Sequence, residues 1–273
     1  MITCAITGSS GVLGQKIKKY LPYKFYEFKK DITNIKHVEK WINKKNFDIV
    51  IHCAAVVPTN EVNKNYKKAY DVNVNGTSNL VNSILNKKKK PKWFFFTSTS
   101  HVYKLNTKFI KINEKIKPKP QSNYGKTKLL AEKILIKKFK NSSIKLCIGR
   151  IFSFTDKNQK APFVIPTITE KIKSSRKIIT LKNLNHFRDF STIKNIAKVI
   201  DIMRKRECSG IYNIGSGIKF SLKDIAKLIS KKYKKKIKFL DSKKTTYLIS
   251  DNKKILHLNW KNTNFKKNLN YFY

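Results

Sequence analysis

Within fourteen residues the chain runs from a short apolar stretch, Ile2-Thr3-Cys4-Ala5-Ile6, into Thr7-Gly8-Ser9-Ser10-Gly11-Val12-Leu13-Gly14. No other stretch restricts the fold as much. The apolar run is continuous, as a parallel strand buried on both faces requires. Beyond the glycines, Ile17 and Leu21 are four apart, the spacing of one helix face. Strand, glycine turn and helix, in that order, form the setting of a dinucleotide-binding turn. Gly8 permits the tight turn. Gly11 leaves no side chain where a pyrophosphate must reach the backbone, and Gly14 lets the helix pack close. Phosphates would then meet free N–H groups and the positive end of the helix dipole. Taken without that setting, the glycines also suit an ordinary strand-to-helix turn.

The same alternation continues along the first half. Lys24–Phe28, Phe47–Ala55 and Lys92–Thr97 read as strands, and residues 35–44 and 66–85 read as helices. Strands alternating with helices predict an α/β fold, a doubly wound parallel sheet of Rossmann type. A chain of 273 residues accommodates one such domain and a smaller C-terminal lobe. The expected division is residues 1–150 for the nucleotide-binding domain and 151–273 mainly for a substrate-binding lobe, with some elements interleaved. Cys4, Cys53, Cys147 and Cys208 show no C-x-x-C spacing and read as reduced thiols of a cytosolic protein. Met1 leads straight into a strand, and no apolar run approaches the ~18 residues of a membrane span, so a cytoplasmic location is expected. No metal-ligand cluster stands out.

The formal net charge is +45, yet only five of the 61 basic residues are arginine. Nucleic-acid readers favour arginine for bidentate recognition. Here lysine is spread along the whole chain, with abundant asparagine and isoleucine, which is the composition of an AT-rich genome and a solvated surface. Nucleic acid is therefore not the expected partner. The residual field should still draw anionic substrates towards the protein.

Tyr124-Gly125-Lys126-Thr127-Lys128 opens an amphipathic stretch. On a helix, Tyr124 and Lys128 share one face and can address one ligand together. An adjacent ammonium is expected to lower the pKa of the phenol, so that Tyr124 exchanges protons nearer neutrality. Four hydroxyl residues, Thr97-Ser98-Thr99-Ser100, follow a buried strand, where they must find partners or water. Small Ala54 and Ala55 leave ligand space at the end of the third strand, and His52 reads as a structural residue there. After the second strand, where an acid would select a ribose 2′-hydroxyl, the chain has Phe28-Lys29-Lys30. Basic residues at that point lean towards NADP rather than NAD.

Read together, these segments resemble the extended short-chain dehydrogenases/reductases of the NAD-dependent epimerase/dehydratase, nucleotide-sugar type. The residues are Thr7-Gly8-x-x-Gly11-x-x-Gly14, Asp31-Ile32-Thr33, His52-x-Ala54-Ala55, Asn73-Val74-x-Gly76-Thr77, Thr97–Tyr103 and Tyr124-x-x-x-Lys128, in the family's order. The resemblance implies that Tyr124 is a general acid/base on a sugar oxygen. Lys128 would hold the nicotinamide ribose, and Thr99 would hydrogen-bond the reacting oxygen. The cofactor contacts it implies are Gly8, Ser10, Gly11, Val12, Leu13, Gly14, Asp31, Ile32, Ala54, Ala55, Asn73, Tyr124 and Lys128. Thr99, Ser100, Ser153 and Arg188 would meet a nucleoside-diphosphate sugar, and family members commonly form homodimers through paired helices.

Departures from the pattern narrow the chemistry. Family 4,6-dehydratases follow the catalytic Thr with Asp-Glu, whereas this chain has Ser100-His101. A dehydratase is thereby disfavoured, although His101 can titrate. Ser153 stands where the family carries Asn, and Ile193-Lys194-Asn195 replaces V-D-D. Phe187-Arg188-Asp189-Phe190 matches a segment whose arginine meets a diphosphate, although Arg188 and Asp189 could equally pair with each other. The expected activity is an NAD(P)-dependent epimerase or 4-keto-sugar reductase serving surface polysaccharide synthesis. The alternative is a non-catalytic nucleotide-sensing or nucleic-acid-binding protein on the same fold.

Overall fold

The protein is described by a computed structural model covering residues 1–57, 59–174, 178–242 and 244–260. The first half comprises β1 (Thr3–Thr7), α1 (Val12–Tyr20), β2 (Lys24–Phe28), α2 (Ile35–Asn43), β3 (Ile49–His52), α3 (Thr59–Lys64), α4 (Tyr66–Tyr70), α5 (Gly76–Leu85) and β4 (Trp93–Thr99). A π-helical turn, Asp71–Asn75, joins α4 to α5, so the long helix expected over 66–85 is continuous but carries a bulge. A 3₁₀ turn (Ser100–Val102), β5 (Lys111–Ile112) and α6 (Asn123–Phe139) follow, then β6 (Lys145–Ile151) and β7 (Ser153–Thr155). The remainder comprises α7 (Val164–Ser174), β8 (Ile179–Lys182), β9 (His186–Arg188), β10 (Phe190–Thr192), α8 (Ile193–Lys205), β11 (Gly210–Ile214), β12 (Phe220–Ser221), α9 (Leu222–Lys232), β13 (Ile237–Leu240), β14 (Thr246–Ser250) and α10 (Lys253–Leu256).

Six strands form one parallel sheet in the order β11-β6-β4-β3-β1-β2. Strand order reverses between β1 and β3, and ligands of doubly wound sheets bind at the carboxyl ends of strands beside such a reversal. The sequence Trp93-Phe94-Phe95-Phe96 shows why β4 lies at the centre. Trp93 and Phe95 pack with Ile17 of α1 and Ile196 and Ile200 of α8 on one face. Phe94 and Phe96 pack with Val38, Leu80, Ala131 and Leu135 of α2, α5 and α6 on the other. Large apolar side chains on both sides of the pleat require helices on both sides of the sheet.

A third core, built by Ile165, Ile168, Leu181, Ile225 and Ile229 with Phe190 and Phe220, belongs to α7, β8, α9 and their neighbours. These C-terminal elements also form a four-stranded sheet, β12-β9-β14-β5, to which the first half contributes only β5. In the other direction, β11 completes the parallel sheet and α8 packs on α1. The fully buried carboxylate of Asp189 fastens this region. It accepts from the backbone N–H of Ser216 (2.7 Å), Gly217 (2.9 Å) and Ser250 (3.1 Å), and from the hydroxyls of both serines. Burial raises the pKa of this carboxyl, against the pull of those donors. Asp189→Ala leaves the donors unsatisfied and should cost at least about 3 kcal/mol in urea unfolding. A loss below about 1 kcal/mol would show that Asp189 does not fasten the fold.

Candidate active site

The glycine turn lies against the end of β3. Gly8 has φ +66°, and a Cβ there would sit 2.5 Å from the Ala54 nitrogen. At Gly14 an added Cβ would meet the Gly8 carbonyl oxygen at 2.3 Å. Gly11 differs: its nearest neighbour would be the Gly8 oxygen at 3.5 Å, so the space over the turn is open. α1 starts at Val12 with Gly11 as its cap, and no side chain caps its first N–H groups. An open glycine cradle facing uncapped donors fits the pyrophosphate of a dinucleotide.

The surrounding residues divide into those that face this cradle and those that shape it. Glu27, on β2, pairs with Lys18 at 2.8 Å, and Lys18, with the nearby Ser9 hydroxyl, keeps its carboxyl below the usual range. Beyond it, Phe28 is buried and Lys29 and Lys30 are exposed. Asp31 accepts from the Thr33 nitrogen and hydroxyl at 2.9 and 2.8 Å, which lowers its pKa. The side chain of Ile32 is buried against Gly76, and its carbonyl accepts from the Asn79 amide at 3.2 Å. Asn73 lies in the π-helical turn with its amide fully engaged. It accepts from the Val56 N–H (2.7 Å) and donates to the Val56 carbonyl (3.1 Å) and the Thr127 hydroxyl (3.0 Å). It thus ties the loop after Ala54 and Ala55 to α6. His52 bridges the hydroxyls of Thr7 (2.6 Å) and Thr77 (2.9 Å), and burial pushes its pKa down to about 3. A neutral imidazole wedged between two hydroxyls is a structural residue.

The hydroxyls that end β4 find partners. Thr97 donates to the His52 carbonyl at 3.0 Å, and Ser98 donates to the Glu132 carboxylate. The Thr99 hydroxyl accepts from the His101 N–H at 3.2 Å and lies near enough to the Tyr124 phenol to pull its pKa down. Tyr124 and Lys128 stand one turn apart on the buried face of α6, whose N-terminus is capped by the Ser122 hydroxyl. The Lys128 ammonium is almost fully buried, 4.0 Å from the Phe96 ring centroid. The structure therefore brings Thr99, Tyr124 and Lys128 to one place beside the turn.

The pKa of the phenol departs from expectation. Burial pushes Tyr124 up to about 12, against the pull of the Thr99 hydroxyl, and Lys128 is not among the causes of the shift. Burial also pushes Lys128 down to about 7, opposed by Cys53 and Glu132. Helix spacing showed that the two groups are neighbours; it did not show that both are removed from water, and desolvation is the larger effect.

Around this pair, Ser100 is buried in the 3₁₀ turn, and the His101 ring sits edge-on to Tyr124 with centroids 5.8 Å apart. Loss of solvation, then the charge of Arg188, lowers the His101 pKa. Ser153 is half-buried on β7, paired in register with Phe190. The guanidinium of Arg188 donates to the carbonyls of Phe187 (2.8 Å) and Thr246 (3.2 Å) and to the Thr246 hydroxyl (3.1 Å). Among the described residues no carboxylate pairs with it, because Asp189 is bound to Ser216, Gly217 and Ser250. Burial without a carboxylate lowers its pKa to about 10, which leaves a cation suited to an anionic ligand.

Two features lay outside the expected set. A Cβ on Gly125 would meet the His101 carbonyl at 2.2 Å, so this glycine lets α6 dock on the turn after β4. Glu132 and Arg150 form a buried ion pair at 2.7 Å. A glycine inside a helix and a scarce arginine inside a strand were the available sequence signals.

The comparisons agree with this fold. The sequence model of the GDP-mannose 4,6 dehydratase family matches residues 7–268. A dTDP-D-glucose 4,6-dehydratase of Dictyostelium discoideum is 28% identical over 224 residues, 78% of this chain and 51% of that protein. The chain thus spans about half the length of that relative. A GDP-6-deoxy-D-talose 4-dehydrogenase of Aggregatibacter actinomycetemcomitans is 28% identical over 237 residues, 82% of this chain and 78% of the relative. Among solved structures, RMD from Pseudomonas aeruginosa complexed with NADPH superposes with TM-score 0.91 at 18% identity, covering 100% of this chain and 97% of that one. A Thermotoga maritima UDP-glucose 4-epimerase with UDP-glucose gives 0.86 at 18% identity, covering 99% and 97%. A Rossmann-type sheet, a glycine cradle and a match along nearly the whole chain make this protein a member of the GDP-mannose 4,6 dehydratase family, within the extended short-chain dehydrogenases/reductases.

Proposed function

We propose that the chain is an NAD(P)-dependent enzyme that epimerises a nucleoside-diphosphate sugar or reduces its 4-keto form. The observation that carries this reading is the convergence of Tyr124, Lys128 one helical turn further on, and the Thr99 hydroxyl at the carboxyl end of β4. A nicotinamide, when bound, supplies hydride exchange with a sugar carbon. The chain's own residues handle the oxygen on that carbon. Tyr124 gives a proton to a ketone oxygen in the reducing direction, and its raised pKa keeps it in the required neutral form. Thr99, whose hydroxyl lies beside the phenol, orients that oxygen by a hydrogen bond of its own. Lys128 offers ammonium donors to the ribose hydroxyls, and the Arg188 fork meets the diphosphate. Gly8, Gly11, Gly14 and the first N–H groups of α1 hold the pyrophosphate, while Lys29 and Lys30 favour a 2′-phosphate. Activated sugars of this kind would serve polysaccharide synthesis at the cell surface.

Relatives include a dehydratase, several epimerases and a reductase. Water elimination needs an acid for the departing hydroxyl, and Ser100 stands beside Thr99 where an acid would be needed. This favours epimerase or reductase chemistry. A sensor on the same fold would have no use for a phenol, a hydroxyl and a buried amine gathered at one place.

Purified protein incubated with nucleoside-diphosphate sugars and their 4-keto forms should turn over one class. Stoichiometric loss of reduced-cofactor absorbance identifies a reductase, whereas interconversion without loss identifies an epimerase. Tyr124→Phe should lower turnover by about 100-fold or more while keeping cofactor affinity within a few-fold. Near-normal turnover in that variant removes the phenol from the mechanism. Arg188→Ala should raise KM for the nucleotide sugar by about tenfold or more with a smaller change in kcat. For the cofactor, the Lys29→Glu/Lys30→Glu double variant should weaken NADPH by about tenfold relative to NADH in fluorescence titrations. An unchanged ratio would discard the lean to NADP.

A further inference from the structure

Glu132 stands four residues beyond Lys128 and eight beyond Tyr124, on the same buried face of α6. Its carboxylate is saturated. It accepts from the Ser98 hydroxyl, from Arg150 Nε (3.1 Å to one oxygen, 3.3 Å to the other) and from Arg150 Nη2 (2.7 Å). Ser98 and Arg150 are direct cross-strand partners on β4 and β6, one residue before Thr99 and Ile151. Arg150 Nη1 also donates to the Tyr103 hydroxyl (2.8 Å), which donates to Asn213 Oδ1 on β11 (2.9 Å). One carboxylate therefore joins the helix carrying Tyr124 and Lys128 to the strand carrying Thr99, from below.

The charges around Lys128 make that location consequential. On α6 it has Tyr124 and Glu132 one turn to either side, and it faces His52 at the end of β3 and Cys53 just after it, with Arg150 of β6 behind Glu132. His52 and Cys53 are held neutral by burial, at about 3 and about 12. Tyr124 is likewise neutral at ordinary pH. Glu132 is thus the anion in this set. Loss of solvation pulls Lys128 down to about 7; the groups that oppose that pull are Cys53, which burial itself holds neutral, and then Glu132.

We propose that Glu132 is a positioning residue of the site: clamped by Arg150 and Ser98, it fixes α6 on the end of β4 and keeps Lys128 a cation. The proposal rests on the cofactor-binding reading of this cleft. It assigns to the buried ion pair a duty beyond packing, since a buried pair by itself is a weak source of stability.

The test reads reduced-cofactor binding by fluorescence as a function of pH, which needs no sugar substrate and no turnover. Lys128 binds the ribose best when protonated, so affinity should fall as pH rises through its pKa near 7. In Lys128→Met that limb should disappear. In Glu132→Gln the buried anion is gone and the limb should move down by about one pH unit. Glu132→Asp keeps the charge and should leave the limb within a few tenths of a unit of wild type. Glu132→Gln leaves Arg150 unpaired, which endangers folding, so the Glu132→Gln/Arg150→Met double variant provides a second test. It buries no lone charge, should fold, and should show the same downward shift at smaller amplitude. A limb at the wild-type pH in either variant, once circular dichroism shows it folded, overturns the proposal, as does a limb that survives Lys128→Met. Tyr124→Phe turnover tests the catalytic reading separately, so either idea can fail while the other stands.

Discussion

At Gly125 the first turn of α6 comes so near the 3₁₀ turn after β4 that a methyl group there would meet the His101 carbonyl at 2.2 Å. The candidate site depends on this approach. With α6 seated there, Tyr124 reaches Thr99, and Lys128 lies over Phe96. The sheet faces establish the approach further along the helix. Ala131, Leu135 and Phe139 of α6 pack on Phe94 and Phe96 of β4, and this apolar contact brings the polar N-terminal turns to the sheet edge. The Ser122 cap and the Asn73–Thr127 hydrogen bond hold that end in place.

Seating polar groups this deeply has an electrostatic cost. Tyr124, Lys128 and His52 all shift towards their neutral forms, because the interior disfavours charge whatever its sign. An ammonium can stay charged there only near a compensating group. The ring face of Phe96 and the Glu132 carboxylate both lie on that side of the balance. The abundant surface lysines cannot do this work, since solvent and salt screen them. A protein of net charge +45 still uses one buried anion to govern its most buried cation.

Much of this was legible in the sequence. The glycine spacing after an apolar run pointed to the cradle, and Lys92–Thr97 read as a buried strand, which the structure buries on both sides. Tyr124 and Lys128 share a helix face because helical periodicity is a local property. What stayed hidden was non-local. The partner of Glu132 lies 18 residues away on β6; a scarce arginine inside a strand draws attention to itself but does not say which carboxylate it meets. Solvation was hidden too, so the expected depression of the Tyr124 pKa gave way to a rise. Asn73 read as a cofactor contact, yet its amide is spent on Val56 and Thr127; it acts on the pocket by positioning that loop. The adjacency of Arg188 and Asp189 suggested a pair, but neighbours on a strand point to opposite faces, and they serve separate networks.

That separation explains how the C-terminal elements contribute. Asp189 turns inward, where five donors hold it and fasten the Ser216-Gly217 turn to β14. Arg188 turns the other way, steadied by Thr246 on the same β14 and bound to no carboxylate among the described residues. One strand end thereby supplies both an anchor and a free cation whose charge is felt at His101, beside Tyr124. The anchor makes the cation's position rigid, and a rigid guanidinium loses less entropy when it grips an anion than a tethered lysine would. In a chain where lysine is everywhere, arginine at this position is therefore a matter of geometry more than of charge.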